Sequence, residues 1–169
     1  MQPQRKIKYV MWGNYVYATL VLLVTLLSTL PFGMETERLP VEIKIIKEDV
    51  FLLYFSFVTR MIWLVLGCGI WITVLKLRSG DVYRSRVVWL AMFCLLLSGI
   101  ETAVEVFVLY PKVSLAIEGL GAVGGAIGSL LGFCLGAILP AFTIIVLRNP
   151  AVRGFLSERN GIASEVSAE

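Results

Sequence analysis

Four long apolar segments constrain the fold of this chain more than any other feature of its sequence. They cover approximately residues 9–30, 50–75, 87–110 and 120–147. A helix that crosses a bilayer needs about 20 mostly apolar residues and satisfies its own backbone polar groups. Because 58% of the residues are hydrophobic and only 16% are charged, a water-soluble fold could not bury this surface. The sequence predicts an all-α polytopic membrane protein, with four transmembrane helices in an antiparallel bundle.

Lysine and arginine are distributed unevenly between the two sides that this topology creates. With the N-terminus inside, the inner side carries Arg5, Lys6, Lys8, Lys76, Arg78, Arg84, Arg86, Arg148, Arg153 and Arg159, and the outer side carries Arg38, Lys44, Lys47 and Lys112. Positive charge resists translocation. We therefore expect both termini in the cytoplasm, and a multi-pass protein of a bacterial inner membrane. A cleaved signal peptide is the alternative for the first segment, but that segment is too long and no small-residue cleavage site follows it.

The composition also excludes several kinds of chemistry. The sequence has no histidine, which removes imidazole metal ligands, bis-histidine haem ligation and histidine acid-base catalysis. Cys68, Cys94 and Cys134 fall in three different spans, and Asp49 and Asp81 fall on opposite sides. We expect no metal, no cofactor and no enzymatic activity. The net charge of +3 reflects topology and indicates no nucleic-acid partner.

The first outer loop contains a short patterned segment. Val41, Ile43 and Ile45 alternate with Glu42 and Lys44, which is typical of an extended strand. A short interfacial helix is the alternative, and the segment is too short for its sequence to decide between them.

The residues after the fourth span contain a helix start signal. Asn149 and Pro150 are suited to the cap and the first turn of a helix. We expect a short interfacial helix over 150–158, whose apolar face consists of Val152, Phe155 and Leu156. The transmembrane domain then extends over 1–159, and a polar mobile tail over 160–169.

Basic residues flank the spans on the inner side. Anionic lipid headgroups attract such residues over short distances. The predicted lipid-headgroup anchors are Lys76, Arg78, Arg84, Arg86 and Arg153.

Charged residues inside the predicted spans are the most unusual feature of the sequence. At 1.5 Å per residue, Arg60 in the second span and Glu101 in the third lie at matching depths, about 14 to 15 Å from the outer surface. Glu105 lies one helical turn farther out. The polar face of the third span consists of Cys94, Ser98, Glu101, Thr102 and Glu105.

Each ionised group near the bilayer centre costs about 2.5 to 3.5 kcal/mol. We therefore predict an ion pair between Arg60 and Glu101, with Glu105 beside it. The candidate site comprises Arg60, Glu101, Glu105, Ser98 and Thr102. Three interpretations remain open: a clamp that sets helix register, a proton or cation site in a transporter, and a charged contact to another subunit.

Glycine recurs along the fourth span at helical spacing. Gly124, Gly128, Gly132 and Gly136 follow one another every four residues, and Gly121 and Gly125 form an overlapping pair. Such faces allow another backbone to approach closely. Packing within the bundle, a homo- or hetero-oligomer interface, and a groove for a lipid or quinone tail are all consistent with it. Pro140 predicts a tilt or kink in the same helix.

Two functional classes follow from these features. The first is a non-catalytic membrane subunit or interaction protein that contacts lipids and other membrane protein chains through the fourth helix. The second is a small oligomeric transporter or channel, with a proton- or cation-responsive site at Arg60, Glu101 and Glu105.

Overall fold

A computed structural model describes residues 3–33, 39–77, 81–116 and 121–166. Over these residues the chain is helical and contains no strand. The helices are α1 (Pro3–Leu27), α2 (Val41–Glu48), α3 (Val50–Leu75), α4 (Asp81–Val104), α5 (Tyr110–Ala116), α6 (Gly121–Arg148) and α7 (Pro150–Val166). A 3-10 turn (Leu30–Gly33) follows α1, and a π-helical segment (Glu105–Leu109) joins α4 to α5.

Four helices of the described chain are long and apolar enough to cross a membrane. They are Pro3–Leu27, Val50–Leu75, Tyr83–Leu115 and Val123–Arg148. Large apolar side chains such as Val65, Phe107 and Ile145 remain exposed on these helices. Exposed apolar surface of this kind suits hydrocarbon as the surrounding solvent. The prediction of a multi-pass, all-helical membrane protein is confirmed.

Buried apolar residues form two clusters at opposite ends of the bundle. The larger one, here the α7 end, includes Val10, Val74, Leu77, Val87, Leu147, Val152 and Leu156. The smaller one, here the α2 end, consists of Leu52, Leu109 and Val113, with Ile45 and Ile46 packed against it. Buried apolar packing therefore holds the helices together at both ends of the bundle.

Contacts between α1 and α3 show how these two helices lie against each other. The Trp71 indole donates a hydrogen bond to the Thr19 hydroxyl at 3.2 Å. Farther along α1, Leu22 lies against Gly67, where an added Cβ would come within 2.9 Å of the leucine. The glycine at 67 therefore permits this close approach.

The third span is longer than the sequence predicts. It does not end at Tyr110, because the helix continues through Pro111 to Ala116. Proline lacks an N–H and its ring clashes with the preceding turn of an α-helix. The π-helical segment just before it widens that turn, and the Tyr110 N–H donates to the Glu105 carbonyl. This local change of helix type accommodates the proline.

The patterned segment of the first outer loop is a helix. The extended-strand alternative is wrong: α2 covers Val41–Glu48 and packs Ile45 and Ile46 on the cluster at the α2 end. Neighbouring α3 begins at Asp49, whose side chain accepts a hydrogen bond from the Leu52 N–H at 3.0 Å. Tertiary packing therefore overrides a period-2 pattern too short to specify a strand.

Asp49 also forms an ion pair with Lys112, which joins the start of α3 to α5. The hydrogen bond from Lys112, together with the Leu52 N–H, holds the pKa of Asp49 below its usual value of 3.8. A carboxyl group with a lowered folded-state pKa stabilises the fold above its unfolded pKa. That contribution disappears as the pH falls through the folded-state pKa.

We predict that Lys112→Met lowers the melting temperature slightly at about pH 6, and that this difference from wild type shrinks as the pH falls and Asp49 becomes protonated. Thermal unfolding of both proteins across this pH range measures the difference. A gap between the two melting temperatures that is the same at every pH would show that the ion pair contributes no pH-dependent stability.

The last helix begins as predicted and ends later. The Asn149 side chain accepts a hydrogen bond from the Ala151 N–H at 3.0 Å and caps α7. The helix continues to Val166, so it includes most of the segment predicted as a tail. Its apolar side chains Val152 and Leu156 are buried in the cluster at the α7 end, and Phe155 packs against that cluster. The apolar face therefore covers the end of the bundle.

Candidate intramembrane site

A cavity of about 720 Å³ lies between α1, α3, α4 and α6, in the half of the bundle nearer α2. Most of its lining is apolar. The predicted site residues among its lining are Arg60, Ser98, Glu101, Glu105, Gly132 and Gly136. Thr102, which the sequence placed in the same site, is not part of the lining. The structure thus brings together the charged residues of two helices around one space.

Glu101 is anchored by a residue that the sequence analysis did not single out. The indole N–H of Trp63 donates a hydrogen bond to its carboxylate at 2.7 Å. The hydroxyl of Thr59, which donates to the Phe55 carbonyl at 2.9 Å, also reaches the carboxylate. Thr59 and Trp63 are four residues apart on α3, and this spacing could have identified them as neighbours on one face of the helix, although not the direction in which that face points.

Arg60 and Glu105 complete the charged part of the lining. Arg60 and Glu101 interact electrostatically between α3 and α4, and the Glu105 carboxylate lies close enough to Glu101 for the two to repel. The predicted direct ion pair between Arg60 and Glu101 stays a prediction. The lining contains one guanidinium and two carboxylates, so its formal charge is negative when all three are ionised.

Glu105 is also the first residue of the π-helical segment. Single turns of π-helix inside α-helices are often found at functional sites. Leu109, at the other end of this segment, packs in the cluster at the α2 end. Pro111 predicts some disturbance of the helix before it, but residue spacing does not specify a π-helical turn.

A buried polar contact links α1 to α6 on the side of the cavity nearer the α7 end. The Asn14 amide donates to the Thr143 hydroxyl at 2.8 Å and to the Val10 carbonyl at 2.7 Å, linking α1 to α6. One residue earlier, an added Cβ on Gly13 would lie 2.8 Å from Leu139, so these helices are also in close contact there. Asn14 is a polar residue in an apolar span, which is typical of an interhelical hydrogen bond, but the sequence does not identify Thr143 as its partner.

The regular glycine series of α6 makes no close contact within the bundle. A Cβ added at Gly124, Gly128, Gly132 or Gly136 would meet no atom within 4 Å. The overlapping Gly125 differs, because an added Cβ would overlap the Tyr110 ring and lie 2.7 Å from its Cζ atom. The bundle therefore packs through Gly13, Gly67 and Gly125 and leaves the regular series open. Gly121 is the first residue of α6.

The predicted headgroup anchors have different surroundings. Lys76 and Arg86 lie over the Tyr83 ring, at 5.9 and 5.5 Å from its centroid. Arg84 donates a hydrogen bond to the Leu147 carbonyl at 3.0 Å, which satisfies a backbone acceptor at the end of α6. Arg153 is exposed on α7, and Arg78 lies outside the described residues.

The described residues contain no group of three or more His, Cys, Asp or Glu side chains that could hold a metal ion. Comparisons with protein-family models, with curated proteins and with solved structures gave no match.

Proposed function

We propose that this chain is a non-catalytic membrane subunit or interaction protein, an antiparallel bundle with both termini in the cytoplasm, in a bacterial inner membrane. It assembles with further copies of itself or with other membrane proteins through the glycine face of α6. The observation that carries this proposal is the open space next to Gly124 and Gly128. An added Cβ at Gly132 or Gly136 also meets no atom within 4 Å, but these two glycines border the cavity inside the bundle.

A glycine face favours contact with another helix over contact with lipid, because the missing side chains let a second backbone pack closely. Within a membrane, helices associate through close van der Waals packing, and small residues allow the backbones to approach. This chain's own helices leave the part of that face at Gly124 and Gly128 unused. Apolar side chains flank it, including Ile127 and Leu131, and both are exposed. A partner helix would cover both the glycines and these side chains.

Assembly predicts a specific response to enlarging the face. We expect that Gly128→Leu converts the assembled protein to its monomer in mild detergent, because the side chain would hold a partner helix away. Mass determination of the purified complex measures the change. Gly154→Leu is the matched control, since an added Cβ on Gly154 of α7 also meets open space.

The comparison has two informative outcomes. Loss of the assembly in Gly128→Leu but not in Gly154→Leu supports the α6 interface. A monomeric wild-type protein, or an assembly that keeps its mass in Gly128→Leu, contradicts it.

The cavity favours a second candidate function, a small oligomeric transporter or channel. Arg60, Glu101 and Glu105 line one intramembrane space, and ionisable residues in such positions commonly mark ion or substrate pathways. A bundle of four helices rarely encloses a wide aqueous path by itself, so transport would also require assembly.

A further inference from the structure

We propose that the cavity between α1, α3, α4 and α6 binds a lipophilic organic cation, a molecule with one positively charged group on an apolar body. The inference deepens the second candidate function by naming a ligand class for the same site. The proposed site requires only that the cation binds, so it can be tested independently of transport.

The size and lining of the cavity suit a small organic molecule. Ligand sites usually have volumes of about 300 to 1,000 Å³, with mostly apolar walls and a few polar groups that orient the ligand. This cavity measures about 720 Å³. Leu20, Val24 and Leu135 contribute to its apolar wall, while the charged side chains come from α3, from α4 and from the π-helical segment that follows α4. The two regions match a ligand that has an apolar part and a charged part.

The charges of the lining select the sign of the ligand. Glu101 already accepts the Trp63 N–H and interacts with Arg60. Glu105 then adds a second carboxylate to the same space, and it repels the first. A cation placed between the two carboxylates relieves that repulsion, whereas an anion would increase it. Charge complementarity therefore favours a positive ligand.

The aromatic lining adds a second reason for a cation. Tyr17, Phe55 and Trp63 come from two helices and all line the cavity. The faces of aromatic rings attract cations, and the attraction grows when the cation is removed from water. An inorganic cation fits less well, because Mg²⁺ and Ca²⁺ require several oxygen ligands or bound waters. The described residues contain no group of three or more His, Cys, Asp or Glu side chains that could hold such an ion.

The test compares two probe ions of similar shape and opposite charge, tetraphenylphosphonium and tetraphenylborate. Binding of each radiolabelled ion is measured to the full chain in nanodiscs, and binding to empty nanodiscs is subtracted. We expect saturable binding of tetraphenylphosphonium and no saturable binding of tetraphenylborate. Equal saturable binding of both ions, or none of either, would overturn the proposal, as would displacement of tetraphenylphosphonium by a neutral quinone but not by a second organic cation.

Two variants locate the site. Glu105→Gln removes a charge with little change of shape, and we expect it to weaken tetraphenylphosphonium binding about tenfold, equivalent to about 1.4 kcal/mol. Ser98→Leu should reduce binding by filling part of the cavity. Glu48→Gln, which neutralises an exposed carboxylate of α2 outside the lining, is the matched control and should bind as wild type. Binding unchanged in Glu105→Gln would refute the site.

A separate measurement distinguishes this inference from transport. Proton flux into liposomes that contain the protein reports on the transporter candidate. Saturable cation binding without flux supports the site and rejects transport. Flux that survives in Glu101→Gln and Glu105→Gln rejects a role for this site in transport, whatever the binding result.

Discussion

Glu101→Leu is expected to lower the free energy of unfolding by about 2 to 3 kcal/mol. The carboxylate accepts a hydrogen bond from Trp63 at 2.7 Å and interacts electrostatically with Arg60. Leucine removes the acceptor and the negative charge together, so the indole N–H loses its partner and the guanidinium loses a counter-charge within the membrane span. Unfolding in mixed micelles with increasing SDS measures the loss.

Two further variants separate the charge from the hydrogen bond. Glu101→Gln keeps an oxygen that can accept the Trp63 N–H, so it should destabilise the protein less than Glu101→Leu does. Trp63→Phe removes only the donor and should lower the free energy of unfolding by about 1 kcal/mol. If Glu101→Leu unfolds at the same SDS fraction as wild type, the carboxylate does not stabilise the bundle. The register-clamp interpretation would then be wrong.

Gly125→Ala is expected to destabilise the protein by about 1 to 3 kcal/mol, the usual cost of inserting an atom into a well-packed contact. The new methyl group would overlap the Tyr110 ring, with its Cζ atom 2.7 Å away. The ring cannot move freely, because its hydroxyl lies 3.2 Å from that of Ser129. The α5 and α6 helices must therefore separate. Thermal or SDS-induced unfolding would show the change.

The same helix supplies the control. Gly128→Ala adds an identical methyl group where no atom lies within 4 Å, so its stability should match or exceed that of wild type. Removing the ring should remove the clash. In a Tyr110→Ala background, Gly125→Ala should therefore lower the free energy of unfolding far less than it does in wild type. An equal cost in both backgrounds would mean that the contact between Gly125 and Tyr110 does not determine the effect.

The two positions also show how far glycine spacing can be interpreted from sequence. The series Gly124, Gly128, Gly132 and Gly136 is regular, and Gly125 is an irregular neighbour of it. Spacing identifies which residues share a helix face, but not the direction in which that face points. In the structure the irregular glycine contacts another helix and the regular series remains open.

The candidate site was predictable in part. Arg60 and Glu101 could be placed at matching depth because helical rise converts sequence position into depth. Trp63 was not predicted as the partner of Glu101, because tryptophan in an apolar span usually packs or faces the headgroups. Its role depends on the rotation of α3 about its axis. That rotation is set by packing over the whole helix.

The sequence by itself determined that the chain forms four helices long and apolar enough to cross a membrane, and it located the second to the residue, at Val50–Leu75. These properties depend on local hydrophobicity and on the length needed to cross the hydrocarbon core. Tertiary structure decided the rest: the cavity, the hydrogen bond from Trp63 to Glu101, and the open face of α6. These depend on how helices far apart in sequence rotate and tilt against one another, and no local pattern in an apolar segment records that arrangement.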